Sequence, residues 1–222
     1  MAGGGNDEDV FGVIKQGWDN ASPDTPIRWF TGDPDTDPWE WRNRVLAERD
    51  DIAYAKIFFR KSGFITRDWY PYFLSARRGG YSENDYYLAM LEDEYGDGNV
   101  SHYAKRVYEA IAAHGELPVH DIKRYAGITR HEKSKFEGAL ADLQARMYIT
   151  ICGRRQKLSK KGEFYSWPSS VYCTTEHFWG GEVFDKTAKI DPGEAAGIIL
   201  RRIFELNPSA DLKKAEKFIK GQ

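Results

Sequence analysis

Five cationic side chains occur within eight consecutive residues in the second half of the chain. They are Arg154, Arg155, Lys157, Lys160 and Lys161, and glycines on both sides of them favour a turn. Cations at a solvent-exposed hairpin tip can contact nucleic-acid phosphates, because nothing there forces them into a core. The alternative is that the charge only prevents the hairpin from associating edge to edge with another chain. The pattern favours a phosphate-contacting tip and leaves the second interpretation open.

A second group combines flat aromatic rings, a carboxylate and cations in the first third of the chain. Its members are Trp39, Glu40, Trp41, Lys56, Arg60 and Lys61. Such a composition is typical of a pocket that stacks a base or another planar ligand. Glu40 and the nearby Asp37 are the candidate catalytic carboxylates. Tryptophans at this density are more often part of a hydrophobic core, and that interpretation also stays open.

Three further side chains, those of His131, Lys133 and Lys135, could contact phosphates from the start of a predicted helix. The face of that helix opposite its apolar residues is made of small side chains: Ser134, Gly138, Ala141 and Ala145. It lacks the Arg, Asn and Gln that read base edges. We therefore predict that this face packs against another helix, either of the same chain or of a second copy.

No pattern in the sequence indicates metal-dependent or nucleophilic catalysis. The five histidines form neither an i, i+4 pair nor an HExxH motif, and GxSxG and phosphate-loop patterns are absent. Cys152 and Cys173 occur without a CxxC motif, which favours reduced thiols over a disulfide or a zinc site. We expect neither a metal nor another cofactor.

The elements that position these residues are clearest between residues 100 and 175. Apolar residues recur at helical spacing over 100–111, over a short segment opened by Leu117-Pro118, and over 131–147. Alternation over 148–152 and a β-rich return over 163–173 then predict two strands joined by the cationic tip. Three helices followed by a hairpin is the order of a winged helix-turn-helix.

The flanking segments predict a strand and helices before this block and helices after it. Residues 54–60 indicate a strand and Lys61-Ser62-Gly63 a turn, and Thr66 is expected to cap a helix that ends near Arg78. Further helices are expected over 8–18, over 82–95, from Asp191-Pro192 to Asn207-Pro208, and after a capping Ser209. The predicted fold is therefore α+β and mainly helical. A winged-helix domain (100–175) would carry an acidic, Trp-rich N-terminal region (1–99) and a C-terminal helical extension (176–222).

Three stretches carry a resemblance to known proteins. They are Asp37-Pro38-Trp39-Glu40-Trp41-Arg42, the string from Lys56 to Thr66, and the helices and hairpin of residues 107–167. In these the chain resembles the bacterial winged-helix proteins related to the AlkZ or YcaQ type of alkylpurine DNA glycosylase, over most of residues 36–206. The resemblance implies a winged-helix fold and an association with DNA. The Gln-x-Gln or Gln-x-Asp motif that activates water in the glycosylases is absent at all four glutamines, Gln16, Gln144, Gln156 and Gln222.

Composition and charge limit the remaining function classes. With 41% hydrophobic residues, 7 Trp, 13 Tyr and 12 Phe, the 222-residue chain can bury a sizeable core. Its longest uncharged apolar run, 195–200, is far shorter than the roughly 20 residues of a membrane span, and its start lacks a secretion signal, so we expect a cytoplasmic protein. Residues 1–100 hold 11 Lys/Arg against 19 Asp/Glu, whereas residues 101–165 hold 13 against 7. The basic middle favours a nucleic-acid partner.

We therefore predict a nucleic-acid-binding protein that associates weakly and without sequence preference with double-stranded DNA and does not catalyse a reaction. One alternative is a base-excision enzyme that uses an acidic residue in the aromatic cleft. Another is a protein-interaction module or homodimer. These alternatives differ in whether the small-residue face is open and whether Trp39 and Trp41 line a cavity.

Overall fold

The fold is α+β and mainly helical, as the sequence predicts. The computed structural model describes residues 31–33, 35–79, 95–157, 159, 161–165 and 168–221, although in the first helix it does not describe the side chains of Pro38, Trp39 and Arg42. The helices expected over 8–18 and 82–95 lie outside the described residues, as does Lys160. The described residues form nine α-helices around one five-stranded antiparallel sheet.

The elements follow the predicted order between residues 102 and 174. The helices are α1 (Pro38–Glu48), α2 (Tyr70–Arg78), α3 (His102–His114), α4 (Val119–Tyr125), α5 (Lys133–Ala145), α6 (Thr175–Trp179), α7 (Gly181–Ala188), α8 (Pro192–Leu206) and α9 (Leu212–Lys220). The strands are β1 (Ile52–Phe58), β2 (Lys61–Thr66), β3 (Leu117–Pro118), β4 (Ile149–Arg155) and β5 (Ser169–Thr174). Three helices, α3 to α5, thus precede the β4–β5 hairpin, and the short β3 lies between the first two of them.

One sheet joins the N-terminal hairpin to the β4–β5 hairpin. Its strand order is β2-β1-β4-β5-β3, and β1 meets β4 where Tyr54 pairs with Ile151. The β4–β5 register shifts between Ile151 and Gly153, so Cys152 lies in a bulge. Strands β1, β2, β4 and β5 therefore belong to a single layer.

The C-terminal helix α9 packs into the core against β1 and α2. The ring of Phe218 stacks on Phe58 with centroids 4.0 Å apart and meets the edge of Phe73 at 5.7 Å. All three side chains are buried. Aromatic contacts of this kind add to the free energy gained from burial alone, so they hold α9 firmly in place.

A half-buried arginine, Arg77, joins the ends of several elements. The Arg77 guanidinium donates hydrogen bonds to the carbonyls of Ile57 on β1, Ala145 on α5, and Phe218 and Ile219 on α9, at 2.7–2.9 Å. Burial lowers the pKa of Arg77 to about 9. These bonds satisfy carbonyls that a helix end leaves without an intrahelical partner.

Three local predictions were wrong at element ends. The first turn is formed by Phe59 and Arg60 (φ 50° and 57°) rather than by Lys61-Ser62-Gly63, because a two-residue hairpin turn requires positive φ at both positions. Helix α2 begins at Tyr70 rather than after Thr66. Helix α9 is capped by Asp211, whose side chain accepts from the Lys214 N–H, and not by Ser209.

Candidate nucleic-acid interface

A capping box closes the short 3-10 turn of residues 130–132 that leads directly into α5. The Glu132 carboxylate accepts hydrogen bonds from the backbone and hydroxyl of Thr129, at 2.8 and 2.6 Å, and from the Tyr103 hydroxyl at 2.9 Å. These bonds lower the pKa of Glu132 to about 2. The first turn of α5, with the cations beside it, is thereby fixed to α3.

The three cations expected at this helix start all reach solvent. The side chains of His131, Lys133 and Lys135 are exposed. The ammonium of Lys133 lies 3.8 Å from the Glu137 carboxylate, and that of Lys135 is 3.4 Å from the Tyr103 hydroxyl. Such contacts at the surface are weak and leave the ammonium groups available to phosphates.

The small-residue face of α5 is open at one end and covered at the other. Ser134 and Gly138 are exposed, and a Cβ added at Gly138 would meet no heavy atom within 4 Å. Ala141 is half-buried, and Ala145 is buried beside Arg77 and Gly221. Within the described chain this face is therefore packed at Ala145 and exposed at Gly138, and packing of Gly138 against a second copy stays a prediction. The reason is that the described C-terminal residues cover α5 at its last turn.

The described residues at the tip of the β4–β5 hairpin are linked by backbone hydrogen bonds. Backbone hydrogen bonds join Tyr165 to Lys157, Ser159 to Glu163, and Gly162 to Ser159, at 2.8–3.1 Å. The positive φ of Gly162, 81°, is the conformation that closes a turn of this type. These bonds connect the described residues between β4 and β5.

The cations predicted at this tip differ in what surrounds them. Arg155 and Lys161 are exposed and Lys157 is half-buried. Arg154 instead donates two hydrogen bonds to the Glu40 carboxylate on α1, and this pairing lowers the pKa of Glu40. The sequence predicted that Arg154 contacts phosphate. In the structure its guanidinium is already engaged by a carboxylate.

Two aromatic residues at the tip were missed by the sequence analysis. The side chains of Phe164 and Tyr165 are 77% and 53% exposed. Beside them is a cleft of about 500 Å³ lined by His120, Arg155, Gln156, Lys157 and Tyr165. Rings placed among cations offer nucleic acid both a stacking surface and phosphate contacts. The sequence signal for them was an apolar pair at the end of a charged hairpin tip.

The aromatic pocket proposed from the sequence is not assembled in the described structure. The side chain of Trp39 lies outside the described residues, and Trp41 is exposed, donating from its indole N–H to the Asp35 carbonyl at 3.0 Å. Lys56 lines a cavity of about 180 Å³, whereas Arg60 lines a different cavity. Lys61 is half-buried. Nothing in this geometry joins Trp41, Lys56 and Arg60 into one site.

The candidate catalytic residue Asp37 lies inside the protein and not in an open site. Asp37 is buried at the start of α1, where its carbonyl accepts from the Trp41 N–H at 3.1 Å.

A different carboxylate, that of Glu176 on α6, was not singled out by the sequence analysis. Burial raises its pKa, and the charge of Arg78 opposes this shift. Both its oxygens are shielded from solvent, which makes it a structural carboxyl rather than one open to a substrate.

Two further searches covered the described ranges alone. No group of three or more His, Cys, Asp or Glu side chains there is placed to hold a metal ion. No helix there is both long and apolar enough to cross a membrane. Cys152 and Cys173 are free thiols.

Comparison with known proteins gives one family. The sequence profile of the family described as AlkZ related matches residues 18–220. No curated protein and no solved structure matches the chain.

Proposed function

The chain belongs to the AlkZ-related family, and from this we propose that it binds nucleic acid through the start of α5 and the tip of the β4–β5 hairpin. The order of elements from α3 to β5 supports a winged-helix interpretation of residues 100–175. In that interpretation α5 is the helix that approaches the nucleic acid, and the hairpin is the wing. Residues 1–99 and 176–222 then support this unit.

The observation that supports the proposal most strongly is the exposure of the Phe164 side chain. An aromatic side chain that is 77% exposed at the end of a cationic hairpin gains nothing from the protein core. It can stack on a base or wedge between base steps while Arg155 and Lys161 contact phosphates. A tip that needed only protection from aggregation would not place an aromatic ring at its end.

The exposed part of α5 favours binding that tolerates many sequences. Its open face offers Ser134 and Gly138, which lack the forked side chains that recognise a particular base. A helix with so little bulk can approach the nucleic acid closely while His131 and Lys133 contact the backbone. We propose weak, salt-dependent binding to double-stranded DNA on this basis.

The surroundings of Gln144 and Glu40 favour nucleic-acid binding without base excision. Gln144 is buried, accepting from the Lys56 N–H at 3.0 Å and donating to the Leu140 carbonyl at 2.8 Å. It therefore serves to join α5 to β1. Glu40, with its lowered pKa and its bond to Arg154, is poorly suited to donate a proton near neutral pH.

The test measures fluorescence anisotropy of a labelled duplex over a salt series. We expect the affinity to fall as salt rises, and a double variant, Arg155→Gln with Lys161→Gln, to bind all duplex sequences more weakly. Arg154→Gln is the matched control, since its parent residue is paired with Glu40 and its loss should weaken binding less. Absence of binding at low salt, or loss confined to one duplex sequence, would contradict the proposal.

A further inference from the structure

A cationic cavity lies at the other end of α5 from the proposed nucleic-acid interface. It has a volume of about 560 Å³, which is within the range of small-molecule sites. Its charged lining residues are Arg60, Arg77, Arg78, Asp142, Arg146 and Lys220. Five cations facing one carboxylate make the cavity a site for an anion.

The floor of this cavity is a fixed positive charge. Arg77 is half-buried and donates only to neutral carbonyls among its described contacts, so no described carboxylate pairs with it. Gly221 closes over it: a Cβ at that position would lie 2.7 Å from the Ala145 carbonyl oxygen and 3.0 Å from the Arg77 guanidinium. The floor is therefore rigid, and a bound anion would not have to reorganise it.

The rim of the cavity is arranged around a single acid. Asp142 lies 3.6 Å from the Arg60 guanidinium and 3.2 Å from that of Arg146, which also donates to the Asn99 carbonyl at 2.9 Å. The carboxylate thus holds two arginines in position at the mouth. A phosphate can bridge the same two guanidinium groups, because phosphate and carboxylate oxygens accept the same paired N–H groups.

A stripe of lysines on α9 leads to this rim. Lys213, Lys217 and Lys220 follow one another at helical spacing and are exposed, and Lys220 lines the cavity. A row of like charges ending at a concave site raises the local concentration of anions there.

We propose that this cavity binds a small molecule carrying a phosphate or diphosphate group, held by Arg60, Arg146 and Lys220. The site is separate from the DNA interface proposed above. Along α5, at 1.5 Å per residue, Asp142 lies about 13 Å and Ala145 about 18 Å from Lys133 in the first turn. The two sites can therefore be tested independently.

The experiment is calorimetric titration of the full chain with inorganic pyrophosphate. We expect saturable binding to one site. The double variant Arg60→Gln with Lys220→Gln should bind about tenfold more weakly or worse, the usual loss for one charge-assisted hydrogen bond. The control is Arg202→Gln, an exposed arginine on α8 that is paired with Glu205 and does not line the cavity.

Several outcomes would overturn the proposal. It fails if pyrophosphate does not bind, if the double variant binds as well as the parent, or if the control variant loses as much affinity. A second arm measures the labelled duplex with the same variants. If the cavity variants lose affinity for the duplex and the parent protein does not bind pyrophosphate, the cavity binds the phosphates of a nucleic acid instead of those of a small molecule. Retained pyrophosphate binding by Arg155→Gln with Lys161→Gln would show that the two sites are independent.

Discussion

Arg154 on β4 and Glu40 on α1 form a forked ion pair across 114 positions of the chain, with N···O distances of 2.7 and 3.2 Å. The pair joins a residue expected to contact DNA to one considered as a catalytic acid. Each side chain is the hydrogen-bond partner of the other. This disfavours a DNA contact by Arg154 and a catalytic role for Glu40. The contact also fixes α1 to the sheet, since paired guanidinium and carboxylate groups have a defined geometry.

Breaking this pair should have a small, pH-dependent effect on stability. Both side chains are partly exposed, at 43% and 28%, so a double-mutant cycle of Arg154→Ala and Glu40→Ala should give a coupling of about 0.5–1 kcal/mol. Arg154 lowers the pKa of Glu40 below its ordinary 4.5, so this stabilisation is present above that pH. It is lost as the pH falls through the lowered value. Urea denaturation at pH 7 and pH 3 measures it, and equal coupling at both would contradict the assignment.

Glu176 should give the opposite pH dependence. Burial raises its pKa above 4.5, so the folded state holds a proton that the unfolded state releases, and stability falls as the pH rises through this window. We expect Glu176→Gln to remove the penalty and to stabilise the protein by about 1 kcal/mol at pH 7. Thermal unfolding between pH 4 and pH 8 tests this. A variant less stable than the parent at pH 7 would mean that attraction to Arg78 outweighs the cost of burial.

Phe164 should matter for binding and not for folding. Replacing it with alanine should weaken nucleic-acid binding about tenfold, within the range measured for one base–aromatic stack. The melting temperature should stay the same, because the ring is mostly in solvent. Leu206→Ala, another exposed apolar side chain, is the control. If the two variants bind alike, the stacking role of Phe164 is wrong.

Incubation with alkylated DNA should produce no abasic sites. The Gln-x-Gln or Gln-x-Asp motif expected from the resemblance to the glycosylases is absent, and the carboxylate of Glu40 is engaged by Arg154. The measurement is strand cleavage in alkali after incubation with methylated duplex. Breaks made by the parent protein and lost in Glu40→Gln would show that Glu40 is catalytic after all.

Local signals predicted the elements whose ends the chain marks by itself. Asp191 was expected to begin α8, and its side chain does accept from the N–H groups of Gly193 and Glu194. Apolar spacing likewise located α3 and α5 to within a few residues. Helix caps and apolar spacing depend on residues that are close in sequence. They can therefore be predicted without a structure.

Features that depend on distant residues could not be read in this way. Gln144 reaches Lys56 across 88 positions, and the cavity near Arg77 gathers side chains from four parts of the chain. The Phe59–Arg60 turn was also missed, since neither residue is a usual turn former and the pairing of the flanking strands imposes the turn. Packing, rather than local preference, determines these arrangements.

The pairing of β1 with β4 has a consequence for any shortened form of the protein. A chain beginning at residue 100 would lack β1 and would leave the edge of β4 open where Ile151 now pairs with Tyr54. Such an open border invites pairing with the same strand of another molecule. We therefore expect the N-terminal hairpin to protect this edge from self-association, so a chain that lacks residues 1–99 should aggregate more readily than the full chain.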